Sequence, residues 1–139
     1  MIILDTNVLS EMMKSSGEPR VIAWIDRMPR SRLFTTAVSH GEVLSGLATM
    51  PDGRRRDELQ GRAVALFSLL TADQILPFDS EASVHYARIA GLTKRRGEIV
   101  GAFDMQIAAI CCANAAPVAT RNVKHFQSCG IDVIDPWSL

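Results

Sequence analysis

The chain has 139 residues, of which 47% are hydrophobic, enough for one domain of ordinary size with its own core. Its 15 basic and 15 acidic residues cancel, so no overall positive field marks a nucleic-acid-binding protein, and any polyanion must be bound by local clusters. No stretch approaches the roughly 20 apolar residues of a membrane span, and no basic segment precedes the apolar N-terminal residues, so we expect a cytoplasmic protein without membrane association.

Short apolar runs alternate along the chain with stretches of helical spacing. In the first run, apolar residues give way to an acid and two residues that favour helix starts. The alternation predicts an α/β fold with an open parallel sheet and helices on both faces. The five predicted strands are residues 2–5, 33–36, 75–78, 118–120 and 132–134. The six predicted helices are residues 7–14, 18–28, 37–50, 54–71, 80–96 and 103–115.

Asp5 lies where the first predicted strand ends. The C-terminal ends of parallel strands form the edge at which open α/β sheets bind ligands, which favours a functional role for this acid. Its carboxylate can instead cap the first helix, and Thr6 or Asn7 can do the same. Both interpretations of Asp5 stay open from local sequence.

Two further acids, Glu42 and Asp104, occur in or near predicted helices. Ser39 and Glu42 have the spacing of a capping box, yet apolar neighbours place Glu42 beside the core-facing side of its helix. Asp104 is flanked by apolar and small residues, where an uncompensated charge is costly, and capping competes there too. Carboxylates that meet repel each other, which favours protonation or a divalent cation. Spacing alone does not establish that they meet.

The predicted strand at residues 118–120 ends in a hydroxyl, a cation and an amide, which are Thr120, Arg121 and Asn122. Asn122 can offer a carbonyl oxygen to a metal or its water shell, or it can cap a turn or helix over residues 123–126. Thr120 is either a hydroxyl beside the site or simply a β-branched strand residue.

Two arginine-rich clusters, residues 54–56 and 94–96, are candidates for phosphate contacts, although solvated helix ends are the commoner explanation. We assign surface or packing roles to His40, His85 and His125, because histidines most often have such roles in proteins.

As an ordered set, these motifs resemble the PIN-domain family, in particular its VapC-type toxins and their FitB-like branch. The resemblance spans nearly the entire chain. It is carried by Leu4-Asp5-Thr6-Asn7, Glu42, Ile75-Leu76-Pro77-Phe78-Asp79, Asp104 with Ile107-Ala108-Ala109, Ala119-Thr120-Arg121-Asn122 and Asp135-Pro136-Trp137.

The resemblance implies one PIN domain over residues 1–139, with three layers and a five-stranded parallel sheet in the strand order 3-2-1-4-5. It implies that Asp5, Glu42 and Asp104 are catalytic and hold Mg²⁺, with Mn²⁺ as the alternative ion. Asn122 is a weaker fourth ligand, directly or through water, because many relatives have aspartate there. The residues expected to orient waters or ligands, or to contact substrate, are Asn7, Ser39, Thr120 and Arg121.

The implied activity is hydrolysis of RNA phosphodiester bonds by metal-activated water, in a ribonuclease toxin of a type II toxin-antitoxin system. The implied partners are RNA and a cognate VapB-like or FitA-like antitoxin that covers the acidic site. A homodimer, or a higher assembly with the antitoxin, is also implied, and the apolar helix around Val8, Leu9 and Met12 is the surface that we consider for it.

Three alternatives remain. One is a catalytically weak PIN binding module that acts with a DNA-binding antitoxin in operator regulation. Another is a metal-dependent DNA nuclease, because the same metal chemistry cleaves either backbone. A metal-dependent phosphatase is the third, although the chain lacks an Asp-x-Asp-x-Thr arrangement around Asp5.

Overall fold

The sheet has five short strands. The computed structural model describes all of residues 1–139. The strands are β1 (Ile2–Leu4), β2 (Leu33–Thr36), β3 (Ile75–Leu76), β4 (Val118–Ala119) and β5 (Val133–Ile134). All neighbouring strands are parallel, in the order β3-β2-β1-β4-β5. The predicted fold class, strand positions and strand order are therefore confirmed.

Helices account for most of the remaining chain. They are α1 (Thr6–Met13), α2 (Pro19–Arg27), α3 (Ala37–Ala48), α4 (Arg54–Ser68), α5 (Ser80–Arg95), α6 (Ala102–Ala113) and α7 (Val123–Ser128). The first six match the predicted helices. The six-residue α7 resolves the segment after Asn122, for which the sequence left a turn and a helix open. None of the seven is both long and apolar enough to cross a membrane.

Two apolar clusters pack against the sheet, and β1 contributes to both. Ile2 and Leu4 join the cluster that contains residues from α1, α2, α3 and α4. Ile3 joins the cluster that contains residues from α5, α6 and α7. Because successive side chains of a strand point to opposite faces, the two clusters cover the two sides of the sheet. This burial on both faces explains why β1 is apolar throughout.

The first cluster corrects one expectation about self-association. Val8 and Leu9 are fully buried, and Met12 packs against the same cluster. Val8 and Leu9 are therefore used within the chain and are not available to a second copy. The expectation that these two residues form a dimer surface is corrected, whereas the homodimer itself stays a prediction.

Polar residues at the carboxyl ends of strands start the following helices. The Asp5 carboxylate accepts a hydrogen bond from the Thr6 amide at the start of α1. The Thr36 hydroxyl accepts one from the Ser39 amide at the start of α3. These caps satisfy amides that have no partner within the helix. They also turn the chain from strand to helix at the sheet edge where the acids lie.

The turn between α1 and α2 passes very close to the end of α1. A Cβ atom on Gly17 would lie 2.5 Å from the carbonyl oxygen of Glu11. The Glu11 carboxylate is buried and accepts a hydrogen bond from the Glu18 amide at 2.9 Å, which holds this turn in place.

We expect Gly17→Ala to lower the free energy of unfolding by about 1–3 kcal/mol, because backbone must shift to admit the methyl group. Gly61→Ala is the matched control. It lies within α4, has open space at its Cβ position, and should raise the free energy of unfolding by up to about 1 kcal/mol. Urea denaturation measures both variants, and equal stabilities would contradict the close packing of the turn.

Candidate active site

We call the carboxyl edge of the sheet near Asp5, Glu42 and Asp104 the acidic edge. Asp5 is its most buried member and is only 2% exposed. Its Oδ1 accepts from the Thr6 amide at 2.7 Å. Its Oδ2 accepts from the Thr120 hydroxyl at 2.6 Å and from Asn7 Nδ2 at 3.1 Å. Capping of α1 accounts for the first oxygen only. The second oxygen accepts from the side chains of Thr120, which directly follows β4, and of Asn7 in α1, so capping alone does not explain Asp5.

The electrostatics of Asp5 show that other acids are near. The pKa of its carboxyl group is raised to about 6. Burial is the largest cause, the hydrogen bonds from Thr120 and Thr6 lower the pKa, and the charges of Asp104 and Glu42 contribute to the rise. Burial also raises the pKa of Glu42, the hydrogen bond from Thr6 lowers it, and the charge of Asp104 raises it. The topology thus brings together the three acids that the sequence left far apart.

Glu42 reaches this edge from the second turn of α3. Its Oε1 accepts a hydrogen bond from the Thr6 hydroxyl at 3.0 Å. The capping box that its spacing from Ser39 suggested does not form, because Thr36 is the N-cap of α3. Ser39 is fully buried, and its hydroxyl accepts from the Thr36 hydroxyl at 3.1 Å. Among the predicted supporting residues, Ser39 therefore contacts the helix start and makes no hydrogen bond to an acid.

Asp104 lies in the first turn of α6, where Gly101 is the N-cap and no side chain caps the helix. The carboxylate instead meets His125, with Asp104 Oδ2 and His125 Nδ1 2.7 Å apart. Sequence reasoning gave His125 a surface or packing role and missed this contact. Its position three residues after Asn122, on a helix that starts at the end of a strand, is the signal that was available.

Thr120 and Asn7 form a small hydrogen-bonded network with Asp5. The buried Thr120 hydroxyl, which donates to Asp5, accepts from Asn7 Nδ2 at 3.2 Å and from the Asn122 amide at 2.9 Å. Asn7 Oδ1 accepts from the Arg121 amide at 3.3 Å. Side chains from two elements therefore fix the orientation of Asp5 before any ligand binds.

Arg121 and Asn122 contact this edge through their backbone amides. The guanidinium of Arg121 stacks on Trp137, with its central carbon 5.7 Å from the ring centroid. It forms no ion pair with an acid of the site. Asn122 is exposed at the start of α7, and its side chain makes no capping hydrogen bond. Its amide oxygen is therefore available for water or a cation.

The donor atoms of the site suit a hard divalent cation. The carboxylates of Asp5, Glu42 and Asp104 offer only oxygen, which magnesium and manganese prefer. No group of three histidine, cysteine, aspartate or glutamate side chains is arranged to hold a metal ion directly in this structure. Mg²⁺ commonly binds through one or two carboxylates and keeps several waters, which does not require three direct ligands. By their chemistry, these residues fit Mg²⁺ or Mn²⁺.

Glu42 lines two clefts. One, of about 450 Å³, includes Phe103 and Gln106 in its wall, and the other, of about 330 Å³, includes Lys14 and Arg55. The surface around this acid therefore has room for a ligand that extends beyond the carboxylates.

Known proteins are similar to this chain in sequence and in fold. The PIN domain family matches residues 2–129. The VapC ribonuclease Y4jK of Sinorhizobium fredii is 40% identical over 137 residues, which cover 99% of this chain and 98% of that protein. Toxin FitB of Neisseria gonorrhoeae is 34% identical over 99% of both chains. A chain in the crystal structure of FitAcB from Neisseria gonorrhoeae superposes with a TM-score of 0.92 and 34% identity, covering 100% of both chains.

The raised pKa of Asp5 predicts a defined pH dependence of stability. Its folded-state value of about 6 exceeds the ordinary value of 3.8, so ionised Asp5 weakens the folded state above pH 6. The lost stability returns as the pH falls through 6 and is fully regained only below about pH 3.8, by about 3 kcal/mol in total. Between pH 7.5 and pH 4 we expect the free energy of unfolding of the wild type to rise by about 2.4 kcal/mol relative to Asp5→Asn.

Urea denaturation of both proteins in metal-free buffer measures this difference. Asp132→Asn, which removes an exposed carboxylate next to the amino end of β5, serves as the control. A difference between wild type and Asp5→Asn that stays constant with pH would contradict the raised pKa.

Proposed function

The chain belongs to the PIN domain family, and on that premise we propose that it is a metal-dependent ribonuclease that acts as the toxin of a toxin-antitoxin pair. The observation that carries the proposal is the buried Asp5 carboxylate, held by Thr120 and Asn7 and close to the charges of Glu42 and Asp104. The relatives named ribonuclease and toxin support it, because each aligns with 99% of the chain.

In this proposal Asp5, Glu42 and Asp104 hold Mg²⁺ or Mn²⁺, and Asn122 contributes more weakly, directly or through water. The bound ion supplies Lewis acidity, which lowers the pKa of the attacking water and neutralises charge on the scissile phosphate. No protein base is then required. The hydrolysis breaks a phosphodiester bond of RNA and leaves no covalent intermediate on the protein.

In this mechanism the protein orients the carboxylates that would hold the ion. Glu42 Oε1 is held by Thr6 and Asp104 Oδ2 by His125, and each carboxylate keeps one oxygen without a hydrogen bond. Hydrogen bonds to one oxygen restrict the direction in which the other points, as partners of ligating carboxylates do in metalloproteins. Under this proposal the free oxygens face the ion and its waters.

The same acidic edge supports binding of an antitoxin. Three partly desolvated carboxylates form a strong site for an arginine, whose planar guanidinium can pair with two carboxylate oxygens at once. An antitoxin arginine placed there would occupy the site of the cation and exclude substrate. Toxin FitB aligns with 99% of the chain, and the chain superposes on one chain of the FitAcB crystal structure. These similarities support such a partner.

We expect Asp5→Asn and Asp104→Asn to lower the rate of Mg²⁺- or Mn²⁺-dependent RNA cleavage by at least about 100-fold, because each removes a proposed ligand. Cleavage of defined RNA and DNA by the purified chain, free of antitoxin, measures this effect. Asp132→Asn is the control that removes an acid away from the site.

Full activity of folded Asp5→Asn would overturn the site assignment. Cleavage of DNA but not RNA would identify the protein as a DNA nuclease. Absence of metal-dependent cleavage by a folded, metal-binding wild type would favour the non-catalytic binding module.

His125 should act as a positioning residue for Asp104. We expect His125→Ala to weaken Mn²⁺ binding by about 10- to 100-fold, the usual effect of losing a partner of a metal ligand. Isothermal titration calorimetry measures the affinity directly, without activity as the readout. His85→Ala, which removes a histidine that contacts Arg88 on α5, should leave the affinity unchanged, and equal effects of both variants would contradict the role of His125.

A further inference from the structure

A positively charged cleft leads away from the acidic edge. The cleft of about 330 Å³ beside Glu42 adjoins a second one of about 310 Å³, and Lys14, Arg55 and Leu59 line both. Arg62 lines the far part. We call the two together the basic cleft, which lies between the end of α1 and the N-terminal half of α4. The basic cleft begins beside Glu42 of the proposed active site and is lined by three cations, Lys14, Arg55 and Arg62.

The charge in the basic cleft is only partly compensated. Glu58 lines its far part, but this acid pairs with Arg54 at 3.4 Å. Lys14 pairs with Glu11 at 2.7 Å. Arg55 is exposed and forms no ion pair. Glu42 lines the near part as well, so the lining carries three cations, Lys14, Arg55 and Arg62, and two acids, Glu42 and Glu58. The cleft is therefore positive by one charge, in a chain whose total charge is zero.

The position of Arg55 is not explained by helix stability. It lies in the first turn of α4, where the helix dipole favours acids and disfavours cations. Its neighbours Arg54 and Arg56 are compensated by Glu58 and Asp52. Arg55 alone combines an unfavourable place in the helix with the absence of an acidic partner. An external anion in the cleft would satisfy it.

The other two cations are held in position. Lys14 Nζ is fixed by the buried Glu11 carboxylate, and Arg62 Nη1 donates to the Met13 carbonyl oxygen at 3.1 Å. Each retains further donors for an anion. The hydroxyl of Ser15 lies in the same wall. Ammonium, guanidinium and hydroxyl groups together are the usual donors to phosphate oxygens.

We propose that the basic cleft binds the phosphates of the RNA strand next to the scissile bond, with Arg55 and Lys14 as the principal contacts. The proposal rests on the ribonuclease function proposed above, from which it takes the class of ligand. It assigns the cluster at residues 54–56 unequal roles, because two of its arginines pair with acids of the chain and one faces the cleft. The strand would thus be held at the acidic edge by its backbone, independently of base sequence.

The test is the salt dependence of RNA binding by the full chain in EDTA, measured by filter binding with a single-stranded RNA oligonucleotide. Each lost phosphate contact lowers the slope of log affinity against log salt by about 0.7 for a single strand. We expect this loss for Arg55→Gln and twice this loss for Arg55→Gln combined with Lys14→Gln. The melting temperature of Arg55→Gln should not fall, because the substitution removes a cation from a helix start.

Arg95→Gln, which removes an exposed arginine of the other basic cluster, is the matched control and should leave the slope unchanged. An equal change in this control would overturn the proposal in favour of nonspecific attraction, and so would a wild type that does not bind RNA at low salt. An unchanged RNA slope in folded Arg55→Gln, with weakened binding of poly-glutamate, would reassign the cleft to an acidic protein segment.

Cleavage is not used in this measurement, so the two proposals can fail separately. A reduced slope in a protein that cleaves no RNA would retain the cleft and remove the nuclease function. Cleavage with an unchanged slope would do the reverse.

Discussion

The acidic edge depends on one buried charge at the end of β1. An ionised carboxylate without partners is costly to bury, and Asp5 meets that cost through three donors, the Thr6 amide, the Thr120 hydroxyl and the Asn7 side chain. These donors tie the start of α1 to the end of β4, the neighbour of β1 in the sheet. The pKa of about 6 indicates that the donors compensate burial incompletely. The site therefore attracts further positive charge.

Opposite charges are separated along this surface although the chain is neutral overall. Asp5 after β1, Glu42 of α3 and Asp104 of α6 gather at the carboxyl edge of the sheet. Lys14, Arg55 and Arg62 line the adjoining cleft. The net charge of zero does not reveal this arrangement, because amino-acid composition does not say where the charged residues lie. A neutral protein can thus present both a site that attracts cations and, beside it, a path that attracts phosphates.

Local patterns in the sequence determined the fold class well, because alternating strands and helices with buried β1 leave few arrangements. The strand order came from family resemblance, since apolar periodicity does not say which strands are neighbours. Contacts between distant elements were the hardest to predict. The pairing of His125 with Asp104 and the burial of Val8 depend on how α7 and α1 pack. At six residues, α7 is also too short to produce a clear helical period.

The stacking of Arg121 on Trp137 gives the protein an internal optical probe. The chain has two tryptophans. Trp24 is 9% exposed within the α2 cluster, whereas Trp137 is half-buried and carries a guanidinium over its ring. Arg121 directly follows Thr120, whose hydroxyl holds Asp5. Since indole emission responds to nearby charge, movement of Arg121 on binding of a cation or an anion would change the fluorescence of Trp137, and Trp24→Phe would isolate that signal without an attached dye.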